Sequence, residues 1–183
     1  MVVTGIVVVI TSVVLTNNNK YGGSVLLQNL AYDIALSIRQ AQVYGISVRG
    51  FGANNFSVGY GMHFDKNLNN NKNYVLFADL ENTGIFNPSH DPTENVSPSP
   101  YQIGRGYYIA DLCAPAGTKL ASNSYSCASV SQLDIVYKRP EPDAAIRIPG
   151  TSALQDSARI LVASPRGDVL SIVVDATGQI SVQ

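Results

Sequence analysis

Residues 2–47, VVTGIVVVITSVVLTNNNKYGGSVLLQNLAYDIALSIRQAQVYGIS, decide how the rest of this chain is read. Ten of the fourteen residues from Val2 to Leu15 are Val, Ile or Leu, interrupted by Thr4, Gly5, Thr11 and Ser12. Fourteen residues are fewer than the ~20 that cross a bilayer as a helix. No basic residue precedes the run, and TNNNKYGG follows it, so it lacks the flanks of a cleaved secretory signal. A polar patch, Thr16 to Gly23, separates it from Ser24 to Ser47. There Leu27, Leu30, Ala31, Ile34, Ile38, Ala41 and Ile46 recur near a three-four spacing, one face of an amphipathic helix. Gln28, Asp33, Arg39, Gln40 and Gln42 fill the opposite face. Gly22 and Gly23, each costing about 1 kcal/mol relative to Ala inside a helix, predict a bend or short break between the halves. Without a break the helix would run about 70 Å at 1.5 Å per residue.

Beyond Gly50 the period changes from helical to alternating. Strands are predicted at Ser57–Phe64, Tyr74–Asp79, around Tyr107–Ala110, at Leu133–Tyr137, Ala158–Ala163 and Leu170–Val174, with QISV as a last one. Asn-rich and Gly turns join them, and Pro140 and Pro142 mark an edge or crossing segment. Val96 to Pro100 reads as a linker or extended edge. The expected fold class is α+β: a long amino-terminal helix packed on one antiparallel sheet of about five to eight strands. Ten tyrosines against five phenylalanines and no tryptophan suit half-exposed sheet positions. Residues 1–23 form the apolar helical segment, and residues 24–183 the body.

Composition narrows function. A net charge of −1 gives no electrostatic footprint for nucleic acid or an acidic membrane surface. Two histidines, His63 and His90, accompany no nucleophile elbow, and no zinc or phosphate-loop pattern occurs, so the chain is not expected to be an enzyme. His63 reads as a hydrogen-bonded or solvated strand residue. Asp79, Glu81, Thr83 and Gly84 open like a calcium loop, with oxygen ligands at positions one, three and five and Gly at six. Ile85 supplies the backbone position. His90 stands where the bidentate Glu belongs, so Asp91 or Glu94 would substitute. An acidic surface turn is the competing reading. Cys113 and Cys127 close a loop of about 15 residues, which in the chain-entropy account stabilises by about 3 kcal/mol when bridged; the rival is a pair of cytosolic thiols. The RGD at Arg166–Asp168 reads as a hairpin turn.

The Val2–Leu15 run resembles the apolar stretch that follows the Phe-Thr-Leu-x-Glu signature of type IV pilin-like proteins, entered one or two residues after the glutamate. On that likeness, Met1 is an internal methionine of a longer precursor or a downstream start. NLAYDIALSIRQAQVYGISVR and the closing ARILVASPRGDVLSIVVDATGQISVQ are similar to the matching stretches of H-type minor pseudopilins. The resemblance implies a structural subunit of a type IV pilus or type II secretion filament. It would be anchored in the inner membrane by Val2, Val3, Ile6, Val7, Val9, Ile10, Val13, Val14 and Leu15, with its body on the outer side. Its partners would be other pilin or pseudopilin subunits, the membrane assembly platform and the lipid bilayer. A ligand-binding minor pilin, for adhesion or DNA uptake, and an anchored binding domain unrelated to pili are the alternatives.

Overall fold

The computed structural model describes residues 2–47, 49–51, 57–88, 100–120 and 125–183, and within the helix it leaves out the side chains of residues 15–22. Helix α1 spans Val2–Ile46 without interruption. The expected break at Gly22–Gly23 does not occur. Two glycines weaken a helix by only about 2 kcal/mol, and Gly23 is held from outside, its carbonyl accepting the Tyr107 hydroxyl at 2.9 Å.

Thirteen strands follow: β1 (Gly59–Asp65), β2 (Asn73–Asp79), β3 (Tyr101–Gln102), β4 (Tyr108–Cys113), β5 (Thr118–Lys119), β6 (Tyr125–Ser126), β7 (Ser129–Val130), β8 (Gln132–Tyr137), β9 (Ala144–Arg147), β10 (Leu154–Gln155), β11 (Ser157–Ala163), β12 (Val169–Asp175) and β13 (Ile180–Val182). They form three antiparallel sheets, ordered β10-β9-β8-β1-β2-β3, β13-β12-β11-β4-β7 and β5-β6. This corrects the expected α+β class with a long helix packed on a single sheet. The body is mostly β, and its strands are divided among three sheets. The physical reason lies in the short strands. β3, β5, β6, β7 and β10 are two residues each, too short to carry a hydrophobic alternation, so the sequence pattern exposes only the longer members and merges them into one layer.

One core joins the layers. Tyr60, Met62 and Phe64 of β1, Leu76 of β2 and Leu133, Ile135 and Tyr137 of β8 point inward from the first sheet. Ile109 and Leu112 of β4, Ile160 and Val162 of β11, and Ile172 and Val174 of β12 do so from the second. Leu27, Ala31, Ile34, Ile38 and Ala41 of α1 complete it, and the helix touches β1 and β8 on one side and β11, β12 and β13 on the other. Alternation with period two explains the inward set on each strand. The tyrosines depart from expectation: Tyr60, Tyr74, Tyr107 and Tyr137 are buried. Two inward positions on the helix also differ. Gln42, read as solvent-facing, is buried and donates to the carbonyls of Pro142 (3.0 Å) and Gly178 (3.2 Å), whereas Ile46 is exposed.

The carboxyl-terminal meander β11-β12-β13 is paired in the order the turns imply. Arg166–Asp168 closes its first hairpin, where the Gly167 amide donates to Ser164 O at 3.0 Å and Gly167 takes φ +90°, a conformation a side chain would strain.

Candidate functional site

The largest unpartnered feature is the amino half of α1. Val2, Val3, Ile6, Val7, Val8, Val9, Ile10, Val13 and Val14 are each between 54% and 77% exposed. They cover most of the helix circumference, while Thr4, Gly5, Thr11 and Ser12, spaced i, i+1, i+7 and i+8, share one narrower stripe with Val8. The Thr11 hydroxyl turns back to donate to Val7 O at 2.7 Å, which removes one polar interruption from that surface. A helix surface this broadly apolar is one that packs against other apolar groups in its working state. Fully burying a Val or Ile side chain contributes about 1.5–3 kcal/mol. Nine such residues left in water therefore forgo on the order of 10 kcal/mol, comparable to the entire stability of an ordinary domain. β-branched residues are also indifferent helix formers, so this segment depends on packing by other groups. Among the described residues no helix is long and apolar enough to cross a membrane, and a single-pass anchor is therefore not supported by them. The side chain of Leu15, the last residue assigned to the apolar segment, lies outside the described residues.

Apolar exposure continues along the docked half of α1, on the side read as polar. Val25, Tyr32, Leu36 and Val43 are each at least half exposed. Their spacings of seven, four and seven residues follow the 3.5-residue seam of helices that pack side by side, with Asn29 and Arg39 at the remaining seam positions. Sequence reading missed these residues because it sought one apolar face at period 3.6. A second count at 3.5, offset from the first, would have found them.

The outer face of each large sheet is covered by a loop. On the first, residues 80–88 fold back over β1, β2 and β8. Asp79 is buried, and its carboxylate accepts the amides of Thr83 (3.0 Å) and Gly84 (2.8 Å). Burial pushes its carboxyl above the ordinary value, against the pull of these amide hydrogen bonds. Asn82 and Gly84 take φ of 56° and 72°, giving the tight turn. The Thr83 hydroxyl bonds within the loop to Ile85, and Glu81 is exposed. The two oxygens of Asp79 thus close the turn, while Asp91 and Glu94 lie outside the described residues. Among the described residues no group of three or more His, Cys, Asp or Glu side chains could hold a metal ion.

Further along the same loop, Asp134 of β8 is fully buried. One carboxylate oxygen accepts His63 Nδ1 at 2.6 Å and the other the Phe86 amide at 3.2 Å. The Phe86 ring packs on His63 and Phe77, with centroids 4.9 and 5.1 Å apart. His63 is thus the hydrogen-bonded strand residue its isolation in the sequence suggested.

On the second sheet the Cys113–Cys127 disulfide is formed, with Cα atoms 5.6 Å apart, inside the range such bridges require. The buried Arg159 of β11 ties the bridged loop down. Its Nε donates to Ala116 O at 2.9 Å, Nη1 to Ser171 Oγ at 2.8 Å and Gln183 Oε1 at 3.2 Å, and its guanidinium lies 4.4 Å over the Tyr125 ring. Between the sheets, Lys66 reaches Asp111 at 2.8 Å, and Ser129 donates to the same oxygen at 2.6 Å.

Compared with known proteins, the chain matches no family model, no curated protein and no solved structure.

Proposed function

We propose that this chain is a structural subunit of a helical filament, of the type IV pilin or type II secretion pseudopilin kind, assembled through α1. The observation that carries the reading is the amino half of α1, apolar over most of its circumference and exposed. Such a surface is satisfied by the helices of other copies, with lipid as its surroundings before assembly. In lipid or in a helical bundle the backbone of this segment keeps its own hydrogen bonds, so no rearrangement of α1 is required. The seam of Val25, Tyr32, Leu36 and Val43 extends the same contact along the docked half. The loops over the sheets then lie on the body, away from the assembling helix. The membrane platform and neighbouring subunits expected as partners belong to this reading, as does a location at the inner membrane.

A photo-crosslinking amino acid placed at Val9 of the full chain, expressed in a bacterial membrane, tests it. The expected product is a chain-to-chain adduct, lost when Ile6→Asp and Val13→Asp are introduced together. Adducts to lipid alone, unchanged by those substitutions, would reject assembly through α1.

A further inference from the structure

On the outer face of the first sheet, beside His63, an open cavity of about 370 Å³ lies between the end of β1, β2, β8 and the covering loop. Its polar lining is His63, Asp65, Asn70, Asn73 and Gln132, and its apolar lining is the Phe86 ring with Val75, Pro88 and Pro100. Packing does not account for this composition. Three carboxamides, a carboxylate and an imidazole converge where the neighbouring stretch of the same face, around Phe77 and Val136, is closed and apolar. We propose that the cavity is a binding site for a neutral sugar of one or two rings.

The volume lies at the small end of the range for ligand sites, about 300–1,000 Å³. The polar groups are pre-positioned. Asp65 accepts the Asn67 amide at 2.8 Å, Asn70 Nδ2 at 2.9 Å and Gln132 Nε2 at 3.1 Å. This turns the amide nitrogens of Asn70 and Gln132 to the carboxylate and leaves their carbonyl oxygens to accept ligand hydroxyls. His63 commits Nδ1 to Asp134, so Nε2 is the ring nitrogen left to meet a ligand. Asn73 contributes a group that both donates and accepts. Sugar hydroxyls donate and accept in the same mixed fashion, and the C–H face of a pyranose packs on an aromatic ring such as Phe86. That ring is fixed, by Phe77 behind it and by its own amide on Asp134.

The charge pattern sets the class. Among the described residues no Lys or Arg lines the cavity; burial pushes the Asp65 carboxyl upward, but the hydrogen bonds from Asn70, Asn67 and Gln132 and the charge of His63 outweigh it and hold it below the ordinary value. A phosphate or carboxylate ligand would meet the Asp65 charge with no Lys or Arg to balance it. The site does not depend on how α1 assembles.

The test is titration of the full chain in detergent micelles, observed through the His63 imidazole NMR signals. The probes are glucose, galactose, mannose, N-acetylglucosamine, N-acetylgalactosamine and their common disaccharides. At least one is expected to shift His63 saturably with a millimolar or tighter Kd. Asn73→Leu should weaken it about tenfold with an unchanged urea midpoint, and Asn70→Ala should weaken it to a similar extent while lowering the urea midpoint through the lost Asp65 hydrogen bond. Glucose 6-phosphate is expected to be rejected. No shift with any neutral sugar, equal binding of the phosphorylated sugar, or binding that neither variant weakens would overturn the proposal.

Discussion

His63 and Asp134 stand directly opposite each other in the β1–β8 register, and their side chains meet at 2.6 Å on the outer face of the sheet. The two residues are 71 positions apart in the sequence. Through the second oxygen of Asp134 and the Phe86 amide, that cross-strand pair also fixes the loop over the sheet. The arrangement places a buried carboxyl where its titration reports on folding.

Burial is the main cause that pushes the Asp134 carboxyl above the ordinary 3.8, and the nearby Asp79 adds like-charge repulsion. The hydrogen bond and charge of His63 and the Phe86 amide pull downward without prevailing. The folded chain therefore binds this proton at a higher pH than the unfolded chain does. The resulting stabilisation is complete below the unfolded value and is lost as pH rises through the raised folded value. Urea midpoints of wild type and Asp134→Asn, compared between neutral pH and about pH 4, should diverge, wild type gaining on the variant as pH falls. A difference that stays flat or shrinks toward acid would contradict the burial argument.

Asp79 makes a different prediction because both its oxygens accept backbone amides. Asp79→Ala leaves the Thr83 and Gly84 amides without their partner and should cost about 1–3 kcal/mol, measured by urea unfolding. If the turn is closed by these bonds alone, adding calcium or a chelator leaves the wild-type melting temperature unchanged. A calcium-dependent rise that Asp79→Ala abolishes would support the metal reading.

Arg159 and the Cys113–Cys127 bridge hold one loop by independent means. Arg159→Ala removes charge-assisted hydrogen bonds from a buried site, and should cost about 3–5 kcal/mol. Arg159→Lys cannot reproduce the fork that reaches Ala116 and Ser171 together, so it restores only part of this. Replacing both cysteines by serine should cost about 3 kcal/mol. Since each change frees the same segment, the combined variant should lose less than the sum of the two. Strict additivity in a denaturation cycle would mean that the loop is held elsewhere.

These relationships mark where the sequence is informative and where it is silent. The closing meander is legible because Ala158–Ala163 and Leu170–Val174 are short, nearly continuous apolar runs rich in β-branched residues, and SPRGDV and DATG supply the turns. The division of the strands between sheets is not. β7 is only Ser129–Val130, yet it pairs with β4, while β8 begins two residues later and pairs with β1 in the other sheet. No local pattern records such a switch. The cavity was invisible for the same reason: Asp65, Asn73 and Gln132 come from three strands, and each reads alone as an ordinary polar position. Gln42 was misread because a seam between two loops can satisfy a buried amide, a fact of tertiary structure rather than of periodicity. The apolar run Val2–Leu15 needed no tertiary information to be noticed, since ten of its fourteen residues are Val, Ile or Leu.

Gly45 separates local propensity from packing most sharply. It lies in the last turn of α1, where replacing glycine by alanine ordinarily strengthens a helix by about 1 kcal/mol. Here a Cβ would fall 2.3 Å from the Tyr137 carbonyl oxygen and 2.7 Å from its carbonyl carbon. Both are backbone atoms of β8, which cannot swing aside as a flexible side chain would. The same close approach lets the Gly45 carbonyl accept the Arg139 amide at 3.1 Å. Gly45→Ala should therefore pry the end of α1 from β8 and destabilise the chain by about 3 kcal/mol. Gly5 is the internal control, because nothing lies within 4 Å of a Cβ added there. Gly5→Ala should raise the helical circular dichroism signal slightly and leave the urea midpoint of the body unchanged. A Gly45→Ala protein as stable as Gly5→Ala would mean that the helix end does not rest on β8 as described.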